Sequence, residues 1–331
     1  MKVVVGIKAL NEERHIAASL ESALASVAPF GGGVVLADSG SSDRTIEIAR
    51  GYPGVRILQL ANPAERGCGT GAQLAFQSVE AEYFYLLDGD MVLDPAFLAA
   101  GIAFLDAHPD HAAVGGVVRE ANTDSIEFEL RARNDRIKGS AVAGEVDRLD
   151  CGGLYRVAAV RQVGYFADRN LHAFEEFELA ARLRARGWRL SRIDVPAVEH
   201  HGHSTGGYKL MLRRLRSGYA GGPGEVIRAA WGHAHWPQVL RHFAQLRYSV
   251  AVVGWWSVLL LLLALGQWLA AAVLLVLPTA FLSWRRRSGR LGLYSFVTWN
   301  LIALGFLQGL FRPRRSPADP IRARQLSGGG E

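Results

Sequence analysis

Short apolar runs alternate with stretches whose apolar residues recur at helical spacing. Residues 3–7 are a compact apolar run, after which Ile16, Leu20 and Leu24 recur every four residues and predict a helix over 11–25. Residues 34–37 read as a second strand. Thr45–Ala49 begins a second helix, with Asp43 where a negative charge suits its N-terminus. Val55–Leu60, 71–79 and 83–87 continue as strand, helix and strand. Strands alternating with helices predict an α/β, Rossmann-like fold, a mainly parallel sheet with helices on both faces. A helix over 96–107 follows, then a less regular stretch through Val146. "DCGGLYRVAAVRQVG" reads as a strand and short helix. "FEEFELAARLRARGW" reads as a helix with Leu179 and Leu183 on one face. No internal repeat is visible.

The pattern changes at Ser249. From there to Phe311 the only charges are Arg285, Arg286, Arg287 and Arg290. About 20 residues cross a bilayer, so 249–284 is too long for one span and Gly266-Gln267 divides it into a hairpin. Residues 291–311 are a third apolar segment, carrying Thr298, Asn300 and Gln308. If the hairpin returns at Arg285–Arg287, a third full crossing would leave the following arginines on the far side, against the positive-inside tendency. A re-entrant or interfacial third segment avoids that conflict. The expected organisation is a soluble domain over 1–220, an amphipathic linker over 221–248, a membrane region over 249–311 and a basic, disordered tail over 312–331.

Composition sharpens this picture. The chain has 331 residues, half of them hydrophobic, and a formal net charge of +6. Much of the basic excess, at Arg312, Arg314, Arg315, Arg322 and Arg324, flanks the apolar segments and suits anionic lipid headgroups. The soluble part has no basic stripe with interleaved aromatics, so nucleic acid is not an expected partner. Only Cys68 and Cys151 are present, which excludes a disulfide framework or a cysteine-based zinc site. The opening "MKVVVGIKALNEER" has too short an apolar run for a signal peptide. The soluble domain is therefore expected on the cytosolic face of the cytoplasmic membrane.

Ligands of parallel α/β sheets bind beyond the carboxyl ends of the strands. That edge receives "ALNEE" after the first strand, "DSGSSD" after the second and "DGD" after the fourth. Asp88 and Asp90, with only Gly89 between them, can approach one Mg²⁺ or Mn²⁺, which takes hard oxygen ligands and substrate phosphates. Alone, the tripeptide is more often a solvated turn. "RGCGTGAQ" at 66–73 has the wrong glycine spacing for a dinucleotide site. Among His200, His201 and His203, adjacent residues of an extended segment face opposite ways. Arg213, Arg214 and Arg216 sit in an amphipathic basic segment suited to phosphate or to a membrane surface.

"IKALNEERHIAASLESAL", "VVLADSGSSDRTIEIAR", "YFYLLDGDMVLDPAFL" and "FEEFELAARLRARGWRL" occur in that order, and over residues 2–220 the chain resembles the inverting family 2 glycosyltransferases with a GT-A fold. It is similar to those of bacterial exopolysaccharide synthesis that carry C-terminal membrane segments. The resemblance implies that Asn11, Glu12 and Asp38 hold the nucleotide, with Ser39 where the family often has a second acid. It puts the metal motif on Asp88 and Asp90, Arg66 beside the nucleotide, and a histidine such as His201 near the metal or diphosphate. Arg213 and Arg216 then suit a donor or lipid-linked diphosphate. The family's Glu-Asp, whose second acid is the catalytic base, reads Glu175-Glu176 here. Helix register favours Glu176, and the choice between the two stays open.

The implied chemistry is direct. A departing diphosphate needs neutralising by a cation, and an acceptor hydroxyl must lose its proton to a base as it attacks the anomeric carbon. The expected donor is a nucleotide sugar, a UDP-sugar first. The expected acceptor is membrane-bound, a polyprenyl-diphosphate-linked glycan. A polyprenyl-monophosphate acceptor, already an anion and needing no base, stays as an alternative, as does a non-catalytic sugar-nucleotide-binding partner.

Overall fold

A computed structural model describes residues 1–121, 143–150, 152–202 and 207–327. Its described strands are β1 (Val3–Ala9), β2 (Gly33–Asp38), β3 (Val55–Leu60), β4 (Tyr83–Asp88), β5 (Met91–Leu93), β6 (His111–Glu120), β7 (Gly144–Glu145), β8 (Gly153–Arg156), β9 (Arg189–His200) and β10 (Ala323–Ser327). They form one sheet in the order β10-β3-β2-β1-β4-β8-β6-β9-β5, with β7 on β9. The run β3-β2-β1-β4 is parallel, as the alternating pattern predicts. β8 runs antiparallel between β4 and β6, and β9 returns parallel to β6.

Period-two alternation divides the core between the two faces. Val3, Val5, Ile7, Tyr85 and Leu87 meet helices Ile16–Val27 and Phe97–Ala107 on one side. Val4, Val35, Phe84 and Leu86 meet Leu74 and Ala75 of helix Cys68–Phe76 and Leu179 and Leu183 of helix Glu175–Ala185 on the other. Burying each Val, Leu, Ile or Phe among them stabilises the fold by about 1.5–3 kcal/mol. Both layers therefore hold the carboxyl ends of β1, β2 and β4 side by side. Ala9 pairs with Asp38, and Lys8 pairs with Asp88.

Three helices follow that are long and apolar enough to cross a membrane: Ala244–Ala264, Trp268–Arg286 and Gly289–Phe311. The first two expose their side chains, with only 6% and 11% of their apolar windows buried, against 39% for the third. The third runs along the soluble domain. Tyr294 packs edge-on against Tyr208, and the Thr298 hydroxyl lies 3.7 Å from Met211 Sδ. A Cβ on Gly305 would lie 2.2 Å from the Ala220 carbonyl oxygen, and one on Gly309 would lie 2.1 Å from that of Gly221. Only glycine allows this approach.

The tail corrects an expectation. Residues 312–331 were expected to be disordered, yet the chain is ordered through Ser327. Arg312 pairs with Glu225 at 2.6 Å, Arg314 with Asp168 at 2.5 Å and Arg315 with Glu65 at 2.5 Å. β10 then pairs antiparallel with β3 and covers the edge of the sheet. The arginines that resemble a solvated tail meet acids far away in sequence, at Glu65, Asp168 and Glu225.

Candidate active site

The edge predicted from strand order opens on a cavity of about 970 Å³. Asn11, Glu12, Asp88 and Asp90 line it from the sheet, Arg66 from the loop before helix Cys68–Phe76, and Arg213 and Arg216 from helix Gly207–Arg216. One cavity thus gathers these seven residues, whereas Asp38, Glu175, Glu176 and His201 do not line it.

β1 ends in Asn11, which adopts a left-handed conformation with φ 59°. That turn lets Asn11 Oδ1 accept from the Ser42 backbone N–H at 2.8 Å, while the Glu12 N–H donates to Thr45 Oγ1 at 2.8 Å. The first and second acidic loops are stitched together in this way. Phe174, just before Glu175, is the other site residue at positive φ, 66°. A left-handed non-glycine residue costs about 1–3 kcal/mol, so packing holds both loops against strain.

Gly89 packs closely against the end of β1 and Glu12. A Cβ there would sit 3.0 Å from Glu12 Cγ and 3.1 Å from Ala9 Cβ. Glu12 therefore rests against the Asp88–Asp90 turn. Burial first, then the Asp90 and Asp88 charges, pushes its carboxyl up to about 8. Burial also raises Asp88; Lys8 opposes that shift, and Asp90 adds to it. Like charges crowded at one point suit a divalent cation. Among the described residues no three His, Cys, Asp or Glu side chains converge to hold an ion alone. A metal at Asp88 and Asp90 would need further oxygens from its substrate, as Mg²⁺ commonly does with phosphates. The donor set fits Mg²⁺ or Mn²⁺ on those terms.

The structure distributes the remaining candidates unevenly. Asp38 does not line the cavity: it is fully buried and folds its own loop. Its Oδ2 accepts from the Gly40 and Ser41 N–H groups at 2.9 and 3.0 Å and from Gln59 Nε2 at 3.0 Å. Ser39 faces the cavity in its stead. His201 stacks on His15, ring centroids 5.2 Å apart, and His200 is the histidine that reaches the acids. His200 Nε2 lies 3.5 Å from Asp90 Oδ2, and Nδ1 lies 2.7 Å from Glu120 Oε2. Burial opposes its protonation, but those two carboxylates outweigh it and raise the imidazole to about 10. His203 lies outside the described residues.

Glu175 and Glu176 open their helix, where the dipole favours acids. Glu175 is buried and ion-paired with Lys8 at 2.8 Å. Glu176 is half-buried, and burial first, with the Glu175 charge second, raises it to about 8. Sequence reasoning passed over Lys8, His172 and Lys209, all of which line the cavity. His172 accepts its place from Glu225, whose Oε1 is 2.9 Å from Nδ1. Lys8 alone carried a signal: it is the one charge in the otherwise apolar strand "VVVGIKA". Burial raises the pKa of the Cys68 thiol, which disfavours the thiolate.

Residues 4–164 match Glycosyl transferase family 2. EpsE of Bacillus subtilis strain 168, itself assigned provisionally to the glycosyltransferases, is 28% identical over 199 residues, 57% of this chain and 68% of that protein. Among solved structures, the mannosyltransferase PcManGT of Pyrobaculum calidifontis with GDP-Man and Mn²⁺ superposes with a TM-score of 0.64 at 18% identity, covering 94% of this chain and 87% of that one. S. aureus TarS 1–349 with UDP-GlcNAc gives 0.56 at 18%, covering 93% and 91%. In a longer S. aureus TarS structure the match spans 43% of that chain and 74% of this one, with a TM-score of 0.52 at 19% identity. At these identities the structures establish a shared GT-A fold.

Proposed function

We propose that this chain, whose residues 4–164 form a family 2 glycosyl transferase domain, is a membrane-anchored, metal-dependent, inverting glycosyltransferase. It moves a sugar from a nucleoside-diphosphate donor, a UDP-sugar first, to a polyprenyl-diphosphate-linked glycan in surface polysaccharide synthesis. One observation carries the reading: the Asp88–Asp90 pair and the arginines Arg66, Arg213 and Arg216 open on the same cavity. A diphosphate needs cations around it, and acids facing arginines across a cleft offer a place for a metal and for phosphate oxygens together. Relatives solved with UDP-GlcNAc or with GDP-Man and Mn²⁺ support the ligand class.

A bound Mg²⁺ or Mn²⁺ would supply charge neutralisation for the departing diphosphate. Asp88 and Asp90 would hold it. Arg66, Arg213 and Arg216 donate N–H groups to phosphate oxygens, while Asn11 and Glu12 border the nucleotide. Glu176 takes the proton of the acceptor hydroxyl as its oxygen attacks the anomeric carbon, and the bond to the diphosphate oxygen breaks. One such displacement inverts that carbon.

Helix Gly207–Arg216 carries the arginines on one side and rests on helix Gly289–Phe311 on the other. Residues 294–309 of the latter touch residues of the soluble domain at both ends, over about 22 Å at 1.5 Å per residue. Such a helix lies along the membrane interface, while the hairpin Ala244–Arg286 crosses. A lipid-linked acceptor would then meet the cavity from the bilayer plane on the cytosolic side. The reading is tested by titrating UDP into the detergent-solubilised protein with and without Mn²⁺. Binding that needs Mn²⁺ and vanishes in Asp90→Ala supports it; equal binding by both proteins in both conditions would sink the metal assignment.

A further inference from the structure

We infer that Lys8 is a positioning residue that ties the Asp88–Asp90 turn on the cavity to the start of helix Glu175–Ala185, and that it assigns the two glutamates different jobs. This deepens the proposed function and rests on it. The Lys8 ammonium lies 3.2 Å from Asp88 Oδ1 and 2.8 Å from Glu175 Oε1. Its side chain is 15% exposed and that of Glu175 only 4%. The bridge is dictated by strand register: Lys8 on β1 is the direct partner of Asp88 on β4. Side chains of paired residues stand on the same face of a sheet. Glu175 arrives from the first turn of its helix, which Phe174 enters in a left-handed conformation.

Two consequences follow from this geometry. Glu175 is occupied by a buried cation, so it cannot also approach an acceptor hydroxyl without abandoning the ammonium. Glu176, its neighbour on the helix, makes no hydrogen bond or ion pair with the described residues and is left for the proton. Asp88 is held by one oxygen in a fixed orientation. Removing the ammonium would leave the Glu175 carboxylate buried, uncompensated and beside both Glu176 and Asp88, a situation that buried charges tolerate poorly.

The test is a double-mutant cycle of Lys8→Met and Glu175→Gln, with Lys8→Arg and Glu176→Gln as comparisons. Melting temperature is read in detergent, and kcat and donor KM are read in a transfer assay with added Mn²⁺. Lys8→Met is expected to melt lower and to lose about 10²-fold in kcat, the lower range of a general-base effect. The double variant, with no stranded charge, is expected to recover both quantities substantially. Lys8→Arg should keep more activity than Lys8→Met, and Glu176→Gln should stay about 10²–10⁴-fold slower than wild type with or without the other changes. A double variant no better than Lys8→Met in melting and kcat overturns the inference, as does a Lys8→Met variant with wild-type kcat. A wild-type protein that transfers no sugar defeats the proposed function instead, and the melting cycle still decides whether Lys8 and Glu175 are coupled.

Discussion

Arg314 Nη2 lies 2.5 Å from Asp168 Oδ2, so the segment that follows the last apolar helix is locked to the loop leading into helix Glu175–Ala185. Asp168 is fully buried, and its Oδ1 accepts from the Asn170 N–H at 2.9 Å. Replacing Arg314 by alanine strands that carboxylate. The expected loss is about 3–5 kcal/mol of stability, read as an earlier unfolding transition in detergent. Arg314→Met combined with Asp168→Asn should unfold later than Arg314→Ala. Unchanged unfolding in Arg314→Ala would show that the strap does not hold the domain.

The glycines of helix Gly289–Phe311 give a second prediction. Gly305→Val and Gly309→Val each drive carbons into backbone oxygens of the soluble domain, which costs about 1–3 kcal/mol per site for overpacking. The helix should lift from residues 219–225, and protease should then cut between the hairpin and the tail. A valine at Gly254, where a Cβ meets nothing within 4 Å, is the control and should change neither measurement.

The parallel run of the sheet was legible because apolar period and helical spacing are local. The edge carrying Asn11, Glu12, Asp88 and Asp90 followed from it. β6 was not legible, since its Gly115-Gly116 pair breaks the apolar alternation on which a strand is recognised. In sequence a loop-folding carboxylate and a nucleotide-binding one look alike, and only the structure shows Gln59 and the Ser41 N–H bonded to Asp38. His200 and His201 cannot be told apart without the β9 register. The tail was misread for the same reason in reverse: Glu65, Asp168 and Glu225 are far away in sequence from the arginines they bind.

Glu176 makes the pH dependence specific. A general base works deprotonated, so turnover should rise with pH and level off near the value of about 8 to which burial and Glu175 raise it. Glu176→Gln should lower kcat by about 10²–10⁴-fold and remove that slope. Most of the activity surviving in Glu176→Gln would instead fit an acceptor that is already a phosphate anion.

Stability should move the other way. The folded carboxyl holds its proton more tightly than its ordinary 4.5, so the native state binds more protons than the unfolded chain between 4.5 and about 8. Its contribution to stability is present below that window and declines as pH rises through it. At pH 8.5 Glu176→Gln should therefore melt higher than wild type, while at pH 4 the two should coincide. A lower melting temperature for the variant at pH 8.5 would mean that the glutamate is there to hold the fold.

Transfer itself is the most direct test of a metal-dependent enzyme acting at the membrane. Purified protein would be incubated with a panel of nucleotide sugars, Mn²⁺ or Mg²⁺ and membrane lipid extract, and the lipid products would be weighed by mass spectrometry. The expected product is a lipid-linked glycan heavier by one sugar, absent after chelation of the metal and absent with Asp90→Ala. A product formed equally well by the chelated enzyme and by Asp90→Ala would contradict that metal dependence.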